Sequence, residues 1–140
     1  MIGLREVTAA ALVGAVSCLS AVWQPGPARA AFFGDAVGRK VEIPARPARI
    51  VSLAPNLTEI LFALGLGEEV AGVTLFCDCP REALDKPKVG GFITPSLEAV
   101  VALKPDLILA TADGNRAEDV ARLEALGLAV SVTDTAAVAG

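Results

Sequence analysis

Residues 50–65, which read IVSLAPNLTEILFALG, hold the pattern that decides the fold. Ile50–Leu53 is a short run of apolar and β-branched residues, which is typical of a buried strand. Asn56 follows as a candidate helix N-cap, and Glu59 stands three residues later as in a capping box. Apolar residues then recur at helical spacing as far as Gly65, a common residue type just beyond a helix C-terminus. The stretch therefore predicts a strand followed directly by a helix.

The same order of strand and helix repeats along the rest of the chain. Further strands are predicted over Val70–Val73, Leu107–Ala110 and Leu128–Val132, and helical segments over Arg81–Leu84, 97–104 (capped by Ser96) and Asn115–Leu126. Nearly all-apolar strands that alternate with helices predict a parallel sheet covered on both faces. We therefore expect an α/β fold, a three-layer Rossmann-like lobe with roughly four parallel strands. A small β-hairpin, Ala31–Phe33 against Lys40–Ile43, is predicted to precede it.

Residues 1–30 have the pattern of a secretory signal peptide. A short charged start and a long apolar run are followed by small residues at Ala28 and Ala30, which form a cleavage motif. A membrane helix is one alternative, although the apolar run is at the lower limit of the length that spans a bilayer. A lipoprotein signal acylated at Cys18 is a weaker one. Residues 31–140 are then expected to form one domain that is exported to the periplasm.

The composition disfavours several classes of function. The chain of 140 residues has a formal net charge of −4 and no histidine. An acidic, exported domain argues against nucleic acid as a partner. The lack of histidine disfavours a transition-metal site and removes the usual Ser-His-Asp and Cys-His catalytic groups. The turn after the first strand has no glycine-rich phosphate cradle. We expect no enzyme, no metal and no cofactor.

The stretch FCDCP, residues 76–80, leaves several interpretations open. Its two thiols, Cys77 and Cys79, could form a metal site, a strained disulfide or the nucleophile of an exported thiol-dependent enzyme. A ligand-binding loop is the favoured interpretation. In that loop Phe76 faces a ligand, Asp78 bonds the neighbouring backbone and Pro80 starts the next helical turn.

The loops that follow the predicted strands form a candidate ligand site, because ligands of open α/β sheets bind at the carboxyl ends of the strands. These loops are residues 54–56, 75–80, 90–96 and 111–115. Apolar and aromatic residues with a few polar groups are typical of a small-molecule cleft. The candidate ligand-binding residues are Phe76, Asp78, Cys79, Phe92, Asp113 and Asn115.

Three segments of the chain resemble the N-terminal lobe of class III periplasmic substrate-binding proteins of ABC importers. They are RIVSLAPNLTEILFALGLGEEVAGVT (49–74), FCDCP (76–80) and VGGFITPSLEAVVALKPDLILAT (89–111), which is followed by DGN (113–115). The likeness covers residues 35–134 and is greatest to members that bind vitamin B12 (cobalamin). Other members of the class carry ferric siderophores or haem, which are the alternative ligands.

The resemblance implies roles for individual residues. Phe76 and Phe92 match aromatic positions that pack against the corrin in cobalamin-binding members. Glu98 matches a surface glutamate that docks into arginines of the inner-membrane permease, and its place near a helix N-terminus is compatible with that role. Cys79 stands where the class usually has tyrosine, in the motif CDYP.

The resemblance also implies a larger architecture. Members of the class have two α/β lobes, bridged by one long helix, with the ligand between them. The match here ends before the bridging helix and the second lobe, so we expect only the N-terminal lobe, which would bind a large ligand weakly by itself. The expected form is a monomer.

Overall fold

The computed structural model describes residues 29–134 and shows a β-hairpin followed by one α/β lobe. In the hairpin, β1 (Ala31–Gly34) pairs antiparallel with β2 (Lys40–Ile43), with Ala31 opposite Ile43. The backbone N–H of Ala36 donates to the carbonyl of Val132, which ties the hairpin to the lobe. The predicted hairpin is confirmed.

Asp35 and Arg39 close the turn of the hairpin. The carboxylate of Asp35 is inaccessible to solvent and accepts bonds from the backbone N–H of Arg39 (2.8 Å) and from its Nε (2.9 Å). Arg39 also pairs with Glu124. Burial raises the pKa of Asp35, but the hydrogen bonds and charge of Arg39 together outweigh burial, so this pKa lies below its ordinary value of 3.8.

The lobe is built on a four-stranded parallel sheet, as the sequence predicts. Its strands are β3 (Ile50–Ser52), β4 (Val70–Val73), β5 (Leu107–Thr111) and β6 (Val130–Thr133), in the spatial order β4-β3-β5-β6. Because β4 and β5 lie on opposite sides of β3, the connection between them has to cross β3. The loops of this connection therefore lie near the carboxyl end of β3.

Three helices cover the sheet, and two apolar clusters make the core. Helix α1 (Pro55–Ala63) packs on one face with the cluster that contains Ile50 and Leu61. Helices α2 (Leu97–Ala102) and α3 (Ala117–Ala125) pack on the other face, with the cluster around Ile108. The three-layer prediction is therefore confirmed.

The predicted cap of α1 is wrong. The N-cap is Ala54, and Asn56 lies inside the helix at its second position. Pro55 occupies the first position, where the N–H that proline lacks would have had no helical partner. The hydroxyl of Thr58 lies 3.1 Å from the Ala54 carbonyl, and no side chain of the described residues accepts from the free N–H groups at this end of the helix.

The other helix limits follow local chemistry. Gly65 has φ 78° after the end of α1, which confirms the predicted stop. Ser96 caps α2 as predicted, because its Oγ accepts from the Ala99 N–H at 3.3 Å. Helix α2 ends at Ala102, before the predicted residue 104, and Lys104 has a positive φ of 49°.

Helix α3 begins at Ala117 rather than at the predicted Asn115, whose side chain is engaged elsewhere. The short turn after β4 is a 3-10 helix, Arg81–Asp85, directly preceded by Pro80 as predicted.

The predictions for the N-terminal segment fall almost entirely outside the residues that the structure describes. The signal peptide, apart from its last two residues, and the lipid-anchor alternative at Cys18 fall outside residues 29–134. Within residues 29–134, no helix has the length and apolar character needed to cross a bilayer.

Candidate functional site

The candidate site is an apolar groove at the carboxyl edge of the parallel sheet. The groove has a volume of about 660 Å³ and is lined by Pro55, Leu75, Phe76, Gly91, Phe92, Ile93 and Thr94. These residues come from three places: the start of α1 after β3, the loop after β4, and the loop that precedes α2. This is the edge at which open α/β sheets bind ligands. None of the lining residues is charged.

Large apolar side chains of the groove are open to solvent. Leu75, Phe76 and Ile93 are 62%, 63% and 61% exposed. Adjacent apolar side chains that a fold leaves exposed together mark a surface that something else covers. The groove therefore has the character of a binding surface for a large, weakly charged ligand.

Phe76 is presented by a loop that is fixed from beneath by Cys77. The Cys77 side chain is 1% exposed, and its Sγ accepts a bond from the Thr58 hydroxyl at 3.1 Å. The Thr74 hydroxyl lies 3.2 Å from the same sulfur. On the other side of the loop, Lys88 Nζ donates to the Cys77 carbonyl at 3.2 Å. Cys77 thus anchors the loop, and its burial leaves it no access as a nucleophile.

The loop that carries Phe92 is closed at its base. Gly90 and Pro95 form an antiparallel bridge, and the Ser96 N–H donates to the Val89 carbonyl at 2.7 Å. The Gly90 carbonyl accepts from the N–H of Leu75 at 2.9 Å, which joins this loop to the loop after β4. The two phenylalanines thus stand on loops that are bonded to each other.

The structure separates the six candidate ligand-binding residues. Phe76 and Phe92 both line the groove. Asp78 and Asp113 are exposed and do not line it. The bonds that hold the turn around Asp78 are made by other groups, including the Cys77 N–H, which donates to the Thr74 carbonyl at 3.2 Å.

Cys79 lies in a different depression, on the side of the 3-10 turn. This second hollow, of about 650 Å³, is lined by Glu59, Phe62, Ala63, Gly65, Gly67, Glu68, Cys79, Pro80, Glu82 and Lys86. It has a similar volume, but three of its side chains are acidic, and of the loops at the carboxyl edge only Cys79 and Pro80 reach it. Cys79 is an exposed free thiol, and Cys77 is a buried one. The position where the class has tyrosine therefore does not contribute to the groove.

Asn115 is buried behind the groove. It is 8% exposed, and its amide contacts backbone groups of three separate segments, at Leu53, Phe92 and Thr111. Its position makes it part of the support of the site.

Glu98 lies on another surface. It is exposed at the second position of α2, beside a shallow apolar hollow of about 450 Å³ that Leu97, Val101, Ala102 and Leu126 also line. This surface does not share residues with the groove.

Sequence reasoning missed several groove residues. Leu75 and Ile93 lie in the predicted ligand loops, next to the two phenylalanines, but the prediction names only the aromatic residues there. The usable signal was a pair of adjacent large apolar residues within a loop, since loops normally expose polar side chains. Pro55 gave no such signal, because its position became clear only from the true start of α1.

Within the described part of the chain, no group of three or more histidine, cysteine, aspartate or glutamate side chains is arranged to hold a metal ion.

Comparisons with known proteins agree on the type of protein. The family model described as periplasmic binding protein matches residues 50–136. The vitamin B12-binding protein of Vibrio campbellii is 38% identical over 92 residues, which cover 66% of this chain and 34% of that protein. The chain thus spans about a third of the length of the relatives that it matches.

Solved structures give the same result. The periplasmic vitamin B12 binding protein of Vibrio cholerae superposes with a TM-score of 0.59 at 40% identity, over 61% of this chain and 34% of that one. The periplasmic heme-binding protein of Roseiflexus sp. RS-1 superposes with a TM-score of 0.60 at 33% identity, over 64% of this chain and 34% of that one. Both a cobalamin binder and a haem binder therefore share the fold of this lobe.

Proposed function

Because the chain belongs to the periplasmic binding protein family, we propose that its apolar groove forms one wall of a cobalamin site in the substrate-binding component of an ABC importer. The observation that carries the proposal is that Phe76 and Phe92 both line one uncharged groove at the carboxyl edge of the sheet. The protein would capture its ligand in the periplasm and deliver it to an inner-membrane permease.

The chemistry of the groove favours cobalamin over the alternative ligands. A corrin is a broad, nearly neutral ring, and aromatic and aliphatic side chains can cover its faces and edges. Haem carries propionates and is held in many proteins by a histidine or tyrosine ligand to iron. The groove lining offers neither ligand type and no cation for an anionic siderophore complex. The similarity to haem binders makes haem the second candidate.

A titration tests this proposal. The 140-residue chain is titrated with cyanocobalamin and, separately, with hemin, while NMR shifts of groove residues are followed. We expect cyanocobalamin to shift the groove signals and to bind more tightly than hemin. An open groove covers only part of such a ligand, so the affinity is expected to be modest. A dissociation constant weaker than about 1 mM, or about −4 kcal/mol, would refute the proposal for these residues.

We further propose that Glu98 and the apolar hollow beside it dock on the permease. An exposed carboxylate at the edge of an apolar surface can pair with an arginine across an interface while the apolar side chains are covered. The test is co-sedimentation with inner-membrane vesicles that carry a cobalamin ABC permease. Glu98→Arg should reduce binding at least about tenfold.

Glu82→Arg is the matched control for the docking test. Glu82 is also an exposed acid in the first turn of a short helical segment, but it lies away from the hollow of Glu98. The two variants change the net charge equally. Equal losses of vesicle binding in both would assign the effect to general charge and contradict a docking role for Glu98.

A further inference from the structure

Asn115 joins three segments that the chain brings to the edge of the sheet. Its Oδ1 accepts from the Thr111 N–H at 2.8 Å, at the end of β5. Its Nδ2 donates to the Leu53 carbonyl at 3.1 Å, just after β3, and to the Phe92 carbonyl at 2.8 Å. The two amide hydrogens are therefore both used within the protein. With 8% exposure, the side chain has no donor left for a ligand.

The bond to the Phe92 carbonyl is the one that reaches the tip of the groove loop. The base of that loop is closed by the bridge between Gly90 and Pro95. Gly90 has φ 97°, and a Cβ there would lie 2.8 Å from the Ser96 nitrogen, so the base is tightly built. The tip has no such internal closure in its backbone, and Asn115 supplies a bond to it from the loop after β5.

Gly114 provides the surface on which the Phe92 ring rests. A Cβ added to Gly114 would overlap three carbons of that ring, Cζ, Cε1 and Cε2. The ring therefore lies directly against the backbone of the residue that precedes Asn115. One dipeptide, Gly114-Asn115, contacts both the ring and the carbonyl of the same phenylalanine.

We propose that Asn115 is a positioning residue that, together with Gly114, holds Phe92 in place before any ligand arrives and so presets one aromatic wall of the groove. The proposal rests on the proposed function for its consequence in binding, but the preset ring can be observed without ligand. A side chain that is already ordered loses less conformational entropy on binding, and this raises affinity without a new contact.

The test uses ¹⁹F NMR of the full chain labelled with 4-fluorophenylalanine. The chain has five phenylalanines, so five signals are expected, and each is assigned by its Phe→Leu variant. Two changes release the ring in different ways. Asn115→Asp keeps the shape and the acceptor but removes both donated bonds, whereas Gly114→Ala forces the ring aside.

Two control variants match these changes elsewhere in the chain. Ala121→Asp adds the same charge at an exposed position of α3, outside the loops of the groove. Gly34→Ala adds the same methyl group where nothing lies within 4 Å. Neither control should alter the Phe92 signal.

We expect Asn115→Asp and Gly114→Ala to shift and broaden the Phe92 signal while the Phe62 signal stays unchanged. Cyanocobalamin affinity should fall about 2- to 12-fold in each, the range for one rotamer-rich side chain that has to be ordered on binding. If Asn115→Asp does not fold, the uncharged variant Asn115→Ala takes its place, because it also removes both donated bonds.

Other outcomes would overturn the proposal. An unchanged Phe92 signal in Asn115→Asp, with affinity lost, would mean that Asn115 contacts the ligand itself. An unchanged signal in Gly114→Ala would show that the ring does not rest there. If the wild-type chain binds no cyanocobalamin, the proposed function fails, while the ligand-free spectra still decide whether the ring is preset.

Discussion

Phe76→Ala should weaken ligand binding far more than a matched substitution elsewhere on the surface. Phe76 is 63% exposed in the groove, and Phe32 is 69% exposed on the hairpin. The two side chains thus have the same chemistry and nearly the same burial. They differ in whether a ligand in the groove can reach them.

The expected magnitude follows from these exposed fractions. A phenylalanine presents about 200 Å² of surface, so Phe76 leaves about 130 Å² open to a ligand. If a ligand covers half of this area, the contact contributes about 1.6 kcal/mol at 25 cal/mol per Å². Phe76→Ala should then lower affinity about 15-fold. The buried third of each ring contributes at most about 2 kcal/mol to folding, so both variants should lose similar stability.

The assay pairs an NMR titration of cyanocobalamin with thermal unfolding followed by circular dichroism. Phe76→Ala should lose both affinity and some stability, and Phe32→Ala should lose only stability. Equal affinities for Phe76→Ala and the wild-type chain would refute the assignment of the groove. A parallel loss of affinity in Phe32→Ala would show that the effect comes from general destabilisation.

Two further predictions concern groups outside the groove. The pKa of Asp35 is lowered in the folded chain, so its stabilising contribution is present above its unfolded value near 3.8 and is lost as the pH falls below it. In Asp35→Asn the unfolding free energy, measured by urea titration, should therefore decrease less between pH 5 and about pH 2 than in the wild-type chain. An unchanged decrease would contradict the role of Arg39. In a Cys18→Ser background, Ellman's reagent should modify Cys79 at least about 100-fold faster than Cys77, because Cys77 must first be exposed by local opening. Equal rates would show that the loop opens freely.

The parallel sheet could be predicted because local residues mark each strand, whereas the order of the strands was not predicted. Short apolar runs such as Ile50–Leu53, followed by a helix-spaced run and a glycine, are sufficient to assign a βα unit. The stop at Gly65 is of the same kind, since a positive φ is required at that point. These features depend on neighbours in sequence.

The errors at the two helix starts have different origins, one in a neighbouring residue and the other in a contact between residues that are distant in sequence. Asn56 is predicted as the N-cap of one helix and Asn115 as the first residue of another, because asparagine favours helix starts. In the fold Pro55 takes the start of α1, and Asn115 bonds Leu53, 62 residues away. No local pattern predicts whether a buried asparagine amide will cap a helix or bond a segment that is distant in sequence.

The stretch FCDCP shows how burial divides one short segment into different roles. Phe76 faces the groove, Cys77 is buried against two threonine hydroxyls, and Cys79 opens into the second hollow. The sequence drew attention to the thiols as a pair, yet the structure gives them opposite surroundings. The buried thiol is the one that matters for the site, because it fixes the backbone on which the neighbouring phenylalanine stands.

With Cys77 under one aromatic wall and Asn115 behind the other, both walls of the groove are held by polar contacts that a ligand need not disturb. A groove with uncharged walls can then select its ligand by shape and by the absence of charge, because any anion placed there would give up its hydration without gaining a partner.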